Sequence, residues 1–117
     1  MAFWSWCGFI LVLTSMPTTP WSGPESLSLD KLAHLVLYAV FAALFLRMRR
    51  LDGAAHRSGR ELLILMPIVP LLDEVHQLFI PGRNCSWLDI LADMTGITII
   101  IIAHFTIRRH ARKPKAL

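Results

Sequence analysis

The chain has 117 residues, of which 55% are apolar and 17% charged, with 12 Lys and Arg against 8 Asp and Glu. A soluble domain of this size could not hide so much apolar surface, whereas lipid removes the need to. The net charge of +4 would suit a nucleic-acid partner. However, both basic runs flank hydrophobic stretches, so a positive-inside membrane topology explains them better and nucleic acid is set aside.

In chain order, the first apolar segment runs from Phe3 to Met16 and is ended by Pro17 and a turn-rich stretch, Thr18 to Ser26. It is short for a crossing of about 30 Å, but Trp4, Trp6 and Trp21 are placed to anchor its ends at the interfaces. A signal peptide is the competing reading, and the segment lacks the cationic start and the small-x-small cleavage site that one needs. The second segment opens with Ser28 as a candidate N-cap and continues through Leu32 to Leu46, stopping at Arg47-Met48-Arg49-Arg50. A polar loop, Leu51 to Arg60, is expected from Gly53, Ser58 and Gly59. The third segment runs from Glu61 to Ile80 and contains Pro67 and Pro70, which kink a spanning helix and free backbone carbonyls. Pro81-Gly82-Arg83-Asn84 marks a turn. The fourth segment starts at Trp87 and ends at Ile107, before a frayed basic tail, Arg108 to Leu117.

Ten of the twelve Lys and Arg residues fall in two clusters, Arg47 to Arg60 and Arg108 to Lys115. If both face the cytoplasm, the chain is an all-α membrane protein in which four transmembrane helices form a small bundle. Both termini are then cytoplasmic. The carboxylates Glu25, Asp30, Asp73, Glu74, Asp89 and Asp93 lie outside those clusters, toward the opposite face. Small size is compatible with a homo-oligomer. Cys7 and Cys85 belong to no CxxC or Cys/His metal spacing, and their different depths argue against a bond between them.

The polar residues recur at helical spacing. Asp30, His34 and Tyr38 are spaced i, i+4, i+8 on the second helix, Glu74 and Gln77 i, i+3 on the third, and Asp89 and Asp93 i, i+4 on the fourth. Asp73 and His76 lie beside the face of Glu74. Counted from Glu61, Asp73 and Glu74 lie about 18–20 Å along the third helix, at membrane depth. An ionised carboxylate there costs about 2.5–3.5 kcal/mol unless paired or hydrated. Lys31, His34 and Arg83 are the available cationic partners.

Each set also has a plainer reading. Asp30 and Lys31 serve equally to solvate a helix start, His34 and Tyr38 to pack, Arg83 to anchor a loop, and Asp89 to cap the fourth helix. His104 and His110 read as interfacial and His56 as solvated. Asp, Glu and His are donors that a divalent cation accepts, but no ligand spacing such as HExxH occurs, so no cofactor or metal is expected. No Ser or Cys arrangement resembles an activated nucleophile. Lys31 and Arg83 are suited to a phosphate, with Glu74 and His34 the candidates for proton transfer.

These pieces resemble the VanZ-like family of small bacterial membrane proteins. They are Asp30-Lys31-Leu32-Ala33-His34 with Tyr38, Asp73-Glu74-Val75-His76-Gln77-Leu78-Phe79, Pro81-Gly82-Arg83, and Asp89-Ile90-Leu91-Ala92-Asp93 with Gly96. The resemblance covers residues 28 to 100, and it departs from the family at Asp93, where Asn is more frequent. It implies a protein of the bacterial envelope. The family takes its name from a protein associated with low-level resistance to teicoplanin, a glycopeptide that targets cell-wall precursors. The function expected is binding or processing of a lipid-linked cell-wall precursor, or another lipid with a polar head group, at the outer face. Lys31 and Arg83 would hold anionic oxygens there, Glu74 and His34 would move protons, and Asp30, Tyr38, Asp73, Gln77, Asp89 and Asp93 would line the site. The alternative is a non-enzymatic structural or interaction subunit of a membrane complex whose polar residues lock the helices together.

Overall fold

The structure is a computed structural model that describes residues 1–17 and 24–113, with side chains from residue 29 onward in the second stretch. Trp21, Lys115, residues 18–23 of the turn-rich stretch expected over Thr18 to Ser26, and the side chains of Glu25 and Ser28 lie outside the described residues, while Pro24 to Ser26 are helical. Four helices and no strand are present among those described: α1 (Ala2–Ser15), α2 (Pro24–Leu51), α3 (Ala55–Gln77) and α4 (Trp87–Arg112). Two stretches, Leu29–Leu51 and Trp87–Arg112, are long and apolar enough to cross a membrane, and α1 is a shorter apolar helix.

Three boundaries differ from those expected. α2 begins at Pro24, a residue whose fixed φ and missing N–H suit a first helical position, so Ser28 lies inside the helix rather than capping it. The loop between α2 and α3 shrinks to Asp52-Gly53-Ala54, with Gly53 alone taking a positive φ. Ser58 and Gly59 are helical because they are buried where α3 meets α4; a Cβ on Gly59 would sit 2.7 Å from the Phe105 ring. Smallness at a helix contact was mistaken for a loop signal. Glu74 therefore lies 19 residues from the start of α3, about 28 Å along its axis, and not 13. Finally, the basic tail is helical as far as Arg112, with Arg108 donating to the carbonyl of Ala55 at 2.8 Å.

α2 and α3 each pack against the other three helices, while α1 and α4 do not touch. The direction of each helix follows from its contacts. Phe3 packs on Phe41 and Phe45, and the indole of Trp6 donates to the Leu37 carbonyl at 3.0 Å, so α1 runs antiparallel to α2. Trp6 thus fastens two helices together rather than anchoring an interface. Arg49 forms a two-pronged ion pair with Glu61 at 2.6 Å, joining the end of α2 to α3 near its start. Lys31 meets Asp89, and His34 meets Asp93, so α2 and α4 run parallel and side by side. They approach so closely that a Cβ on Gly96 would overlap the Leu35 carbonyl oxygen. Small residues permit such approaches between helices in lipid.

The molecule is apolar outside as well as in much of its core, and at one end it encloses polar groups. Leu29, Leu32, Ile64, Leu72, Leu91 and Ile102 are exposed, whereas His34, Glu74, Gln77, Asp89 and Asp93 are buried. Lipid is the solvent that favours that arrangement. Both basic clusters share one end of the bundle, where His56 and Arg60 face Arg108, Arg109 and Arg112. The buried carboxylates, with His34 and Gln77, gather at the other end.

Gly96→Val tests the close crossing. The added methyls have no room, and a loss of about 1–3 kcal/mol is expected. Thermal unfolding in detergent measures it, and an unchanged midpoint would show that the two helices do not touch at this point.

Candidate functional site

The polar end is built by α2, α3, α4 and the turn between α3 and α4. On α2, the i, i+3, i+7 spacing turns Lys31, His34 and Tyr38 toward α4 and α3. On α4, Asp89 and Asp93 face α2 at matching heights because the helices are parallel. Lys31 pairs with Asp89 and also reaches Asp30 at 3.5 Å. One step deeper, His34 Nδ1 lies 2.9 Å from Asp93 Oδ1, and His34 Nε2 lies 3.8 Å from Asp89 Oδ2. Of the available cationic partners, Asp93 therefore meets His34 and not Arg83.

Glu74 enters from α3. It is fully buried, accepts from Gln77 Nε2 at 3.2 Å and from the backbone N–H of Ser86 at 2.9 Å, and has the Cys85 thiol as a neighbour. One donor atom from each of His34, Glu74 and Asp93 can be chosen so that all three lie within 4.8 Å of one another. Asp73 goes elsewhere. Successive helical residues diverge by about 100°, so Asp73 points to α2 and accepts from Tyr38 at 2.9 Å, and the two adjacent carboxylates are satisfied separately.

Arg83 takes an unforeseen part. Its Nε donates to the Met16 carbonyl at 3.0 Å and its Nη2 to that of Leu13 at 2.9 Å, while Nη1 reaches Gln77 Oε1 at 3.3 Å. The last carbonyls of a helix have no partner of their own, and a guanidinium supplies one. Arg83 thereby ties α1 to the turn that carries it and to the residue orienting Glu74. Sequence reasoning missed the Ser86 N–H and these carbonyls because backbone groups carry no residue signature. The Cys85 thiol could have been found from its place in the turn opposite Glu74.

The expected residues thus fall into one connected set. Lys31, His34, Glu74, Gln77, Asp89 and Asp93 meet at the centre, with Arg83 joined through Gln77. Tyr38 and Asp73 form a separate pair beside it, and Asp30 stands exposed at the rim. A side pocket of about 220 Å³ adjoins that pair, lined by Cys7, Ile10, Leu11, Tyr38, Phe41 and Asp73 among others, and it is almost wholly apolar.

The VanZ/LLP1 family profile matches residues 3–108. The chain belongs to that family. The match extends beyond the motif-bearing segments to α1 and nearly all of α4, so the helix that Arg83 fastens is part of the family's domain. No curated protein and no solved structure matches the chain. For this VanZ/LLP1 protein the arrangement is that of a membrane protein with its polar chemistry enclosed. It offers carboxylates, an imidazole and a phenol within a few ångströms, two cationic heads at the rim, and an apolar pocket alongside.

The Cys85 thiol reports on this cluster from outside the spanning segments. Desolvation, followed by the nearby charge of Glu74 and its hydrogen bond, pushes the thiol above its ordinary range. Removing that charge lowers it again, so Glu74→Gln in a Cys7→Ser background is expected to move the pH profile of Cys85 alkylation to lower pH. An unmoved profile would separate Cys85 from Glu74.

Proposed function

We propose that this protein spans the bacterial inner membrane four times, with both termini in the cytoplasm. In this reading it binds an amphipathic lipid bearing a phosphate or similar head group, of the kind that carries cell-wall precursors, at the outer face. The observation that carries the proposal is the placement of the buried cluster around Glu74 beside an apolar pocket, joined by the Tyr38–Asp73 pair. A lipid chain in that pocket would bring its head group to the cluster. Lys31 and Arg83 would take the anionic oxygens. Arg83 spends three of its five N–H groups within the protein, which leaves two for a ligand. Glu74 and His34 would hold or pass a proton, with Asp30, Asp73, Gln77, Asp89 and Asp93 orienting them.

The clustering of basic residues at one end supports the orientation, since cationic loops stay on the cytoplasmic side. A role in glycopeptide resistance follows from the precursor reading. Deletion of the gene is expected to alter teicoplanin susceptibility, and unchanged susceptibility would remove resistance from the proposal.

The ion pairs between α2 and α4 favour a second reading, a structural or interaction subunit whose charges hold the bundle together. Interhelical polar contacts in lipid contribute about 0.6–2 kcal/mol each, so several of them suffice. Thermal unfolding in detergent separates the two, comparing the native protein with Glu74→Gln in the presence of a polyprenyl phosphate or the uncharged polyprenol. Stabilisation of the native protein by the phosphate alone, weakened in Glu74→Gln, is the result expected. No shift with either lipid, together with a marked loss of stability in the variant, would favour the structural reading.

A further inference from the structure

The charges at the polar end do not balance. Among the described residues Glu74, Asp89 and Asp93 are buried carboxylates. Lys31 is taken by Asp89 and Asp30, and among the described residues Arg83 bonds only to carbonyl oxygens and Gln77. Glu74 and Asp93 are left with one shared cationic neighbour, His34. Two buried carboxylates facing one imidazole need a further positive charge, because an uncompensated ion in a low-dielectric interior costs several kcal/mol.

A second observation points the same way. Asp93 is 0% exposed, and its Oδ2 has no hydrogen-bond partner although Oδ1 bonds His34. A buried carboxylate oxygen without a partner is rare and asks for an ion or a proton. Here it belongs to a side chain in a triad, His34, Glu74 and Asp93, that is wholly buried.

We propose that His34, Glu74 and Asp93 bind one divalent cation at the junction of α2, α3 and α4. One nitrogen and two carboxylate oxygens suit a first-row divalent ion, Zn²⁺ or Mn²⁺, better than Ca²⁺, which takes oxygen ligands. Donors within 4.8 Å of one another are bridged by bonds of about 2.0–2.2 Å after a small side-chain rotation. The surrounding groups resemble those that orient metal ligands elsewhere. Gln77 and the Ser86 N–H hold the Glu74 carboxylate, and Asp89 faces the remaining side of the His34 ring. The triad lies beneath the Lys31–Asp89 pair, so the cation would sit one helical turn inside the rim at which a head group is proposed to bind.

The inference goes beyond the lipid reading and does not depend on it. Protein purified in detergent without a histidine tag, stripped with a chelator and free of added lipid, is titrated with Mn²⁺ and followed by EPR. Zn²⁺ is measured by calorimetry. One ion per chain is expected, with hyperfine coupling to a single imidazole nitrogen that disappears in His34→Gln. Asp93→Asn should weaken binding by at least about tenfold. Where either variant fails to fold, a chain keeping His34 as its sole histidine, with His56, His76, His104 and His110 each replaced by Gln, must retain the nitrogen coupling. Absence of binding by the folded native protein overturns the proposal and leaves a shared proton in the triad. Coupling that survives His34→Gln, or is lost when His34 alone remains, overturns it too and assigns the ion to another histidine. Binding of polyprenyl phosphate by the metal-free protein would leave the lipid reading standing in either case.

Discussion

The close, parallel approach of α2 and α4 at Gly96 is the constraint on which the polar end depends. No side chain larger than hydrogen fits against the Leu35 carbonyl, so the two backbones lie almost in contact. Only at that separation do short side chains such as Asp89 and Asp93 reach Lys31 and His34 directly. The ladder also needs the helices to be parallel. A step of three residues on α2 is then matched by a step of four on α4, keeping residues 31 and 34 level with 89 and 93, whereas in an antiparallel pair Asp93 would lie on the far side of Asp89 from His34. Polar contacts in lipid are individually modest, and this geometry allows several to act in series.

Around that seam the usual order of a globular protein is reversed, with aliphatic side chains outward and charges inward. The reversal has a consequence for chemistry. Groups enclosed away from water interact through a lower dielectric, so each carboxylate must find a donor, a cation or a proton. Most do: Asp89 takes Lys31, Asp73 takes the Tyr38 phenol, and Glu74 takes Gln77 and the Ser86 amide. Asp93 Oδ2 is the exception. The other buried side-chain atoms without a partner among the described residues, His76 Nδ1 and His104 Nε2, are imidazole nitrogens, and the orphaned carboxylate oxygen in the cluster marks where a ligand, ion or proton belongs.

The turn between α3 and α4 links the site to the rest of the bundle. Arg83 reaches α1 on one side and Gln77 on the other, while Ser86, three residues on, donates to Glu74. A displacement of α1 would therefore be felt at Glu74 through three hydrogen-bonded links, α1 to Arg83, Arg83 to Gln77 and Gln77 to Glu74. Such a connection gives the short first helix a part in shaping the site even though it contributes no charged side chain to it.

Hydropathy and the pairing of basic runs with apolar segments determined that the chain is an all-helical membrane protein with four apolar segments, and that its polar residues belong to three of them. These are local properties, because lipid selects for helices and i, i+4 spacing selects a face. The motifs determined the family, since they occur in order across most of the chain. Only the tertiary structure decided who meets whom. It paired Asp93 with His34 rather than Arg83, separated Asp73 from its neighbour Glu74, and sent Arg83 to the end of α1. It also put Ser58 and Gly59 inside a helix and Trp6 between two helices. Each of these rests on a partner distant in sequence, often a backbone carbonyl or amide that every residue possesses. Spacing along one helix shows which residues share a face, but which helix that face meets, and at what height, is settled only when the bundle packs.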